Sequence, residues 1–251
     1  MKPERGNSVC EDASRLGPGF IAISDGAGGG GIFADKWARY LVENVPDAPI
    51  NSFSDFAQWL EGIWNPFYEQ YERVAQEQGG MVLNKFYDEG SFATIACAWR
   101  VGNKVRWMAY GDSVVFHYNR RVKVLSHSFT SLADFAKAPH LLNWKDEPQE
   151  EGFSCGEFDV SEPCCVFACS DALSHYVMMM YAVANRVDIP NSGDKNSNLI
   201  SMAKSRKVDF ERDVLIPLFN ALRSDALASH CIGKYRRGLL ALDDYSIARL
   251  V

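Results

Sequence analysis

The sequence predicts an α+β domain whose strands pair mainly antiparallel. The predicted elements run strand, two helices, several strands, further helices and a closing strand, which is not the alternation of a parallel βαβ fold. The runs FATIACAWRV (92–101) and VRWMAYG (105–111) flank the short turn GNK and are typical of a β-hairpin. No internal repeat or low-complexity linker divides the chain, so residues 1–251 are interpreted as one domain.

The first strand is FIAIS (20–24), a short apolar run between two glycines. Two helices follow at 31–45 and 52–77; Ser52 or Ser54 could cap the second, and Pro66 is expected to kink or split it. The later predictions are strands at 114–119 and 121–126, an irregular stretch at 128–150, strands at 155–160 and 164–170, helices at 172–186 and 209–228, and a strand at 245–251.

Composition restricts the class of protein. With 251 residues and 47% hydrophobic content, the chain can bury a large core. The formal charge of -6 and the absence of a basic stripe argue against a nucleic-acid partner. Seven irregularly spaced cysteines indicate reduced thiols. A polar beginning and the lack of an apolar run of about 18 residues predict neither a signal peptide nor a membrane span, so a cytoplasmic protein without a membrane partner is expected.

The segment FIAISDGAGGGG (20–31) fits the dinucleotide pattern G-x-G-x-x-G through Gly26, Gly28 and Gly31. However, Asp25 would repel a pyrophosphate at the following helix N-terminus. Residues 46–56 also do not form the second strand that a dinucleotide fold requires, and no Walker pattern is present. The sequence therefore disfavours a nucleotide site.

Acidic residues instead stand where predicted strands meet loops. Asp25, Asp112 and Asp171 each follow a strand closely, and Asp243-Asp244 precedes the last one. Taken singly, each could cap a helix or begin a turn. Brought together, they would repel one another unless divalent cations offset their charge, and an all-oxygen set suits Mg²⁺ or Mn²⁺ rather than Zn²⁺.

Six short motifs occur in order between residues 11 and 246, and the ordered set is far more specific than any one of them. They are Glu11-Asp12, DGAGG (25–29), GSFAT (90–94), GDS (111–113), SDA (170–172) and DDYS (243–246). The set resembles that of the metal-dependent serine/threonine protein phosphatases of type 2C, in particular their bacterial members. This resemblance implies a four-layer αββα sandwich of two antiparallel sheets flanked by helices.

The resemblance also implies two Mg²⁺ or Mn²⁺ ions in a cleft at one end of the sandwich. By position, Asp25 would bridge both ions and the carbonyl of Gly26 would bind one of them, while Asp171 and Asp243 would hold the other.

Three further acids have roles implied by the same family. Glu11 and Asp12 would hold metal-bound waters, and Asp112 matches a residue that helps bind a third, weaker ion in some members. The implied activity is hydrolysis of phosphoserine and phosphothreonine in proteins, with Asp25, Asp171 and Asp243 acting through metal-bound water. The implied partner is a phosphoprotein in signalling, opposite a serine/threonine kinase.

Three positions depart from the family pattern. Asn7 stands where an arginine usually binds the phosphate, although Arg5 could substitute for it. Ala27 replaces a histidine of some members, and Ala172 replaces a glycine, which is tolerable unless its φ is positive. Asn7 favours the alternative function, a catalytically weak or inactive phosphatase-fold module that binds phosphoproteins for regulation.

Segment lengths predict what surrounds the site. The usual flap is reduced to residues 128–150, and a helix-rich insertion occupies about 187–238, either as peripheral packing or as a lid or docking surface. His175 is the histidine placed to approach the site. Gly28 and Gly29 are expected to form a tight turn with positive φ.

Overall fold

Two antiparallel sheets lie at the centre of the protein in a computed structural model that describes residues 10–29, 31–189, 197–222 and 224–251. The described strands are β1 (Ala13–Gly17), β2 (Phe20–Ser24), β3 (Phe92–Ala93), β4 (Ile95–Val101), β5 (Lys104–Tyr110), β6 (Val114–Asn119), β7 (Val124–His127), β8 (Leu142–Asn143), β9 (Phe153–Asp159), β10 (Cys164–Cys169) and β11 (Ile247–Leu250). The described α-helices are α1 (Ala34–Glu43), α2 (Phe53–Gln78), α3 (Gly80–Asp88), α4 (Asp171–Ala184), α5 (Ser197–Lys204), α6 (Ile216–Asn220) and α7 (Ser224–Tyr235).

The strand order is β1-β2-β4-β5-β9 in the first sheet and β11-β10-β6-β7 in the second, while β3 and β8 form a separate ribbon. Strand β2 explains why its sequence is apolar at every position. Ile21 and Ile23 belong to the core between the sheets, whereas Phe20 and Ala22 pack on the opposite side, toward α1. Since successive side chains alternate between faces, a strand buried on both faces needs an uninterrupted apolar run.

Helices cover the outer face of each sheet. On the first sheet, α1 and α2 contribute an aromatic cluster in which the rings of Trp37 and Phe67 lie 4.8 Å apart. On the second sheet, α4 is buried along Ala172–Met180 between the strands and residues of the insertion, including Leu215 and Leu218. The four-layer αββα architecture is therefore confirmed.

The first two helices differ from their predictions, one in where it begins and the other in its continuity. The helix predicted from residue 31 begins at Ala34, because Gly31 (φ 70°) and Phe33 (φ 57°) form a left-handed turn first. The helix predicted at 52–77 is not split, since α2 continues through Pro66. Leu60 and Phe67, on either side of the proline, are both buried, so packing maintains the helix.

The helix predicted at 209–228 is interrupted. A π-helical turn spans Glu211–Leu215, α6 ends at Asn220, and a new helix begins at Ser224. Pro217 lacks the amide hydrogen that an α-helical ladder would use, so the hydrogen-bond register changes here. None of the described helices combines the length and apolar content that a membrane crossing requires.

Candidate active site

A cleft of about 910 Å³ lies where the ends of several strands meet. In the first sheet, Ile95 pairs with Tyr110, so the start of β4 and the ends of β2 and β5 share one edge. In the second sheet, Cys169 pairs with Ile247, which brings the end of β10 beside the start of β11. The predicted metal-site residues that line the cleft are Glu11, Asp25, Gly26, Asp112, Asp171 and Asp243.

Thr94 fixes the position of Asp25. The amide of Asp25 donates to Thr94 Oγ1 at 3.3 Å, and the amide of Thr94 donates to the Asp25 carbonyl at 2.9 Å. The Thr94 hydroxyl also shares a 2.7 Å hydrogen bond with Ser113 Oγ, next to Asp112. The GSFAT and GDS motifs thus join the Asp25 loop to the Asp112 loop through buried hydroxyl groups.

Close approach of the backbone explains two of the loop glycines. A Cβ atom at Gly26 would lie 2.7 Å from the carbonyl oxygens of Ala34 and Glu11, and one at Gly28 would overlap the Glu11 carboxylate. The expected positive φ at Gly28 and Gly29 is wrong; among the described residues that follow them, Gly31 and Phe33 are left-handed. The contact with the Glu11 carboxylate, and not backbone handedness, therefore distinguishes Gly28: a larger residue would displace that carboxylate.

Local backbone hydrogen bonds orient the acids from the second sheet. Asp171 accepts a hydrogen bond from the amide of Ala172 at the start of α4, and Asp243 accepts one from the amide of Asp244 at 2.9 Å. Asp244 Oδ2 accepts from the amide of Glu11 at 3.1 Å, which ties residue 11 to the end of the chain. Ala172 does not adopt a positive φ, so it is tolerated in place of glycine.

Ser170 has a structural role. Its amide donates to the Ser246 carbonyl at 3.1 Å, and its Oγ accepts from the Ser246 amide at 3.1 Å. These bonds join β10 to the segment before β11 and thereby set the position of Asp171 relative to Asp243.

Asp12 is the one predicted metal-site residue that does not line the cleft, because it is buried, with 7% of its surface exposed. Burial raises the pKa of Asp12 to about 7, although Asp25, Ser246 and Ser170 offset part of this effect. Both of its carboxylate oxygens are buried without a hydrogen bond of ordinary geometry to any described residue. A carboxylate is costly to bury in this state unless a proton or a cation accompanies it.

Asp25 shares this electrostatic problem. Burial, followed by the negative charges of Asp12, Asp171 and Asp112, holds the pKa of Asp25 well above its ordinary value. The described acids repel one another across the cleft, and Lys137, which also lines it, is paired with Asp134 at 2.6 Å. The site therefore favours a bound cation or proton.

The donor set fits a hydrated divalent ion. No group of three or more described His, Cys, Asp or Glu side chains is arranged to hold a metal directly. Mg²⁺ does not require such a cage, since it keeps several waters and is usually bound through one or two carboxylates. The unsatisfied Asp12 oxygens and the carboxylate-rich lining agree with that mode of binding.

Two segments outside the motifs also border the cleft. Phe135 and Pro139 come from residues 128–150, the segment predicted as a reduced flap, and Leu199 and Tyr235 come from the segment predicted as an insertion. His175 lines the cleft as expected, and its ring lies edge-on to Phe135 at 5.6 Å. The segment predicted as an insertion therefore contributes side chains to the border of the cleft. Sequence reasoning did not find Leu199 and Tyr235, because they carry no motif and approach the cleft only through the path of the insertion.

Comparison with solved structures identifies the fold. The serine/threonine phosphatase PstP/Ppp of Mycobacterium tuberculosis matches with a TM-score of 0.53 at 12% identity, over 99% of this chain and 93% of that one. Serine/threonine phosphatase Stp1 from Staphylococcus aureus matches with a TM-score of 0.52 at 12% identity, over 97% and 90%. The chain has the phosphatase 2C fold. The resemblance drawn from the six motifs is confirmed at this level.

A third structure with this fold is PppA, a key regulatory component of T6SS in Pseudomonas aeruginosa, with a TM-score of 0.50 and 19% identity over 95% of this chain and 89% of that one. No protein-family model and no curated protein matches the sequence. Within the phosphatase fold, the expected phosphate-binding residues Asn7 and Arg5 lie outside the described residues.

Proposed function

We propose that the protein hydrolyses phosphoserine and phosphothreonine in other proteins, with Mg²⁺ or Mn²⁺ bound in the cleft. The observation that carries the proposal is the pair formed by the buried Asp12 and the partly exposed Asp25, which lines the cleft beside Asp112 and Asp171; the raised pKa values of this pair agree with a site that requires a proton or a cation. Perturbed carboxylates in a cleft are typical of functional sites. The fold shared with solved serine/threonine phosphatases supports phosphate monoester hydrolysis in particular.

Two ions would be held by the carboxylates of Asp25, Asp171 and Asp243 and by the carbonyl of Gly26. Glu11 and Asp12 would act through water, and Asp112 would serve a third, weaker ion. When bound, such ions lower the pKa of water and offset phosphate charge.

The residues of the chain would supply orientation and shape. Thr94 holds the backbone of Asp25 from both sides, so that carboxylate reaches the cleft in a fixed position. The amide of Asp244 orients Asp243. A cleft of about 910 Å³ has room for a phosphorylated side chain together with part of its peptide.

The proposed partners are phosphoproteins, whose phosphate groups imply a serine/threonine kinase acting in the opposite direction. Six of the described cysteines are free thiols: Cys97, Cys155, Cys164, Cys165, Cys169 and Cys231. Free thiols agree with a reducing compartment, and we therefore place the activity in the cytoplasm.

Hydrolysis of p-nitrophenyl phosphate and of a phosphothreonine peptide tests the proposal. We expect turnover with Mn²⁺, none with EDTA, and a loss of about a hundredfold or more in Asp25→Ala. Asp88→Asn, at an exposed position in α3, is the matched control and should retain full activity. Absence of Mn²⁺-dependent turnover, or turnover that survives Asp25→Ala, would refute the proposal.

The same experiment separates the alternative, a regulatory phosphoprotein-binding module. Saturable phosphopeptide binding without turnover, in a protein with a normal thermal transition, would select that function. If the missing arginine at position 7 limits phosphate binding, Asn7→Arg should lower the KM for the phosphopeptide. An unchanged KM would exclude that explanation.

A further inference from the structure

A second concavity, separate from the active-site cleft, lies between α2 and residues 143–148. It encloses about 380 Å³, and its lining includes Trp64, Tyr68 and Trp144. We call it the aromatic groove.

The three aromatic rings form a connected wall. Tyr68 lies edge-on to Trp144 at 5.0 Å and to Trp64 at 6.1 Å. Trp64 Nε1 donates to Glu61 Oε2 at 3.1 Å. Trp144 is buried, and its Nε1 has no acceptor among the described residues. A buried indole N–H without an acceptor is costly, so Trp144 is held in this wall by packing and not by a hydrogen bond to any described residue.

The rim of the aromatic groove is acidic. Glu61, Asp146 and Glu147 line it and are exposed. Lys145, the lysine in its lining, is directed elsewhere, because its Nζ donates to the carbonyls of Tyr87 at 2.7 Å and Asp88 at 2.6 Å. The lysine charge is thus held at the end of α3, and the groove presents aromatic faces beside negative charge.

We propose that the aromatic groove binds a basic peptide segment of a partner protein. An arginine or lysine side chain would lie against the rings of Trp64 and Tyr68, because cations are attracted to aromatic faces. Glu61 and Glu147 would neutralise its charge. The acidic rim would repel nucleic acid and anionic membranes, so a basic peptide is the occupant that the charges favour.

The groove is joined to the active site by a short stretch of chain. Leu141 lines the cleft, and Asn143, two residues later, lines the groove. Asn143 pairs with Phe92 in the ribbon of β3 and β8. Ala93, which follows Phe92, forms an isolated antiparallel β-bridge with Gly26 of the cleft. A partner held in the groove would therefore lie next to the cleft, as a docking segment of a protein substrate should. The binding itself does not depend on turnover in the cleft.

Titration with a capped decapeptide that contains three arginines tests the proposal, with tryptophan fluorescence and calorimetry as readouts. Glu61→Gln/Glu147→Gln removes two rim charges and keeps the side-chain shapes. Glu43→Gln/Glu77→Gln changes the net charge by the same amount at exposed positions outside the groove lining. This control is needed because the chain has a formal charge of -6 and attracts cations non-specifically.

We expect saturable binding that is weakened about fivefold or more by Glu61→Gln/Glu147→Gln and is unchanged in the control variant. Replacing arginine with citrulline, its neutral isostere, should weaken binding to a similar degree. Hydrolysis of p-nitrophenyl phosphate should be the same in both double variants, because neither touches the cleft. Failure of the phosphatase proposal would therefore leave this test intact.

Several outcomes would overturn the assignment. Equal weakening in both double variants would reveal attraction by net charge alone. Equal binding of the citrulline peptide would indicate an apolar occupant, and equal binding of spermidine would indicate a small-cation site. Absence of saturable binding would show that the groove is not a docking site.

Discussion

The buried carboxylate of Asp12 should destabilise the metal-free protein at high pH, and Asp12→Asn should relieve this effect. The ordinary aspartate pKa of 3.8 is raised to about 7 in the folded protein. The folded state therefore holds a proton that the unfolded state releases between these two values. Stability from this group is full below about pH 4, is lost as pH rises and reaches its minimum above about pH 7. At 1.36 kcal/mol for each pKa unit, the whole loss is about 4 kcal/mol, of which about 3 kcal/mol falls between pH 5 and pH 8.

Urea unfolding in EDTA at about pH 5 and pH 8 measures this effect. The difference in unfolding free energy between Asp12→Asn and the wild type should favour the variant by about 3 kcal/mol more at pH 8 than it does at pH 5. The asparagine amide has Asp25, Ser170 and Ser246 near it as acceptors. Asp88→Asn, in an exposed position, should leave the pH dependence unchanged. Parallel pH profiles for the wild type and Asp12→Asn would refute the argument, because Asp12 would then carry no buried charge.

Two further predictions concern the glycine loop and the thiols. Gly28→Ala should reduce Mn²⁺-dependent turnover about tenfold by displacing the Glu11 carboxylate, whereas Gly29→Ala, whose Cβ meets nothing within 4 Å, should be nearly normal in steady-state kinetics. Equal activity of the two variants would contradict the role given to Glu11. Ellman's reagent should label the exposed Cys10 and Cys155 in the native protein and the buried cysteines only after unfolding, as peptide mapping can verify. Rapid native labelling of the buried thiols would contradict the packing described for the core.

Periodicity predicted the central strands well. FIAIS matches β2 residue for residue, and the hairpin at 92–111 contains β4 and β5 with Gly102 (φ 60°) in its turn. These strands are buried runs bounded by glycine, so burial and turn chemistry point to the same boundaries. Predicted helices failed where one residue redirected the chain, as Phe33 and Pro217 do.

Elements without a hydrophobic pattern were not predicted. Strand β1 has the sequence ASRLG and is largely exposed, so it carries neither alternation nor an apolar run. Helix α3 begins at Gly80; Gly79 and Gly80 both adopt positive φ, and this turn separates α2 from a helix that buries only Phe86. Such elements depend on tertiary pairing more than on local preference.

The acidic residues of the candidate site could be predicted from the sequence, because antiparallel strand pairing brings residues that are distant in sequence next to one another. Pairing of Ile95 with Tyr110 sets the ends of β2 and β5 at one edge, and pairing of Cys169 with Ile247 does the same for β10 and β11. The helical segment that carries Tyr235 has no strand pairing from which its position could be inferred. The presence of Tyr235 at the cleft is therefore known only from the structure.

The strand register that assembles these acids also forces their negative charges together. This one cause explains both the loss of stability at high pH and the need for a bound cation. Burial, together with repulsion from the neighbouring acids, raises the pKa of Asp25, lowers the stability of the metal-free protein at high pH and creates the demand for a cation. A divalent ion that binds the ionised acids must displace protons from them. Stabilisation by Mn²⁺ should therefore be larger at about pH 8 than at pH 5, and Asp12→Asn should reduce this difference because it removes one of the protons to be displaced. If the Mn²⁺-induced increase in Tm is independent of pH, metal binding does not displace protons from the buried acids, which would refute the argument.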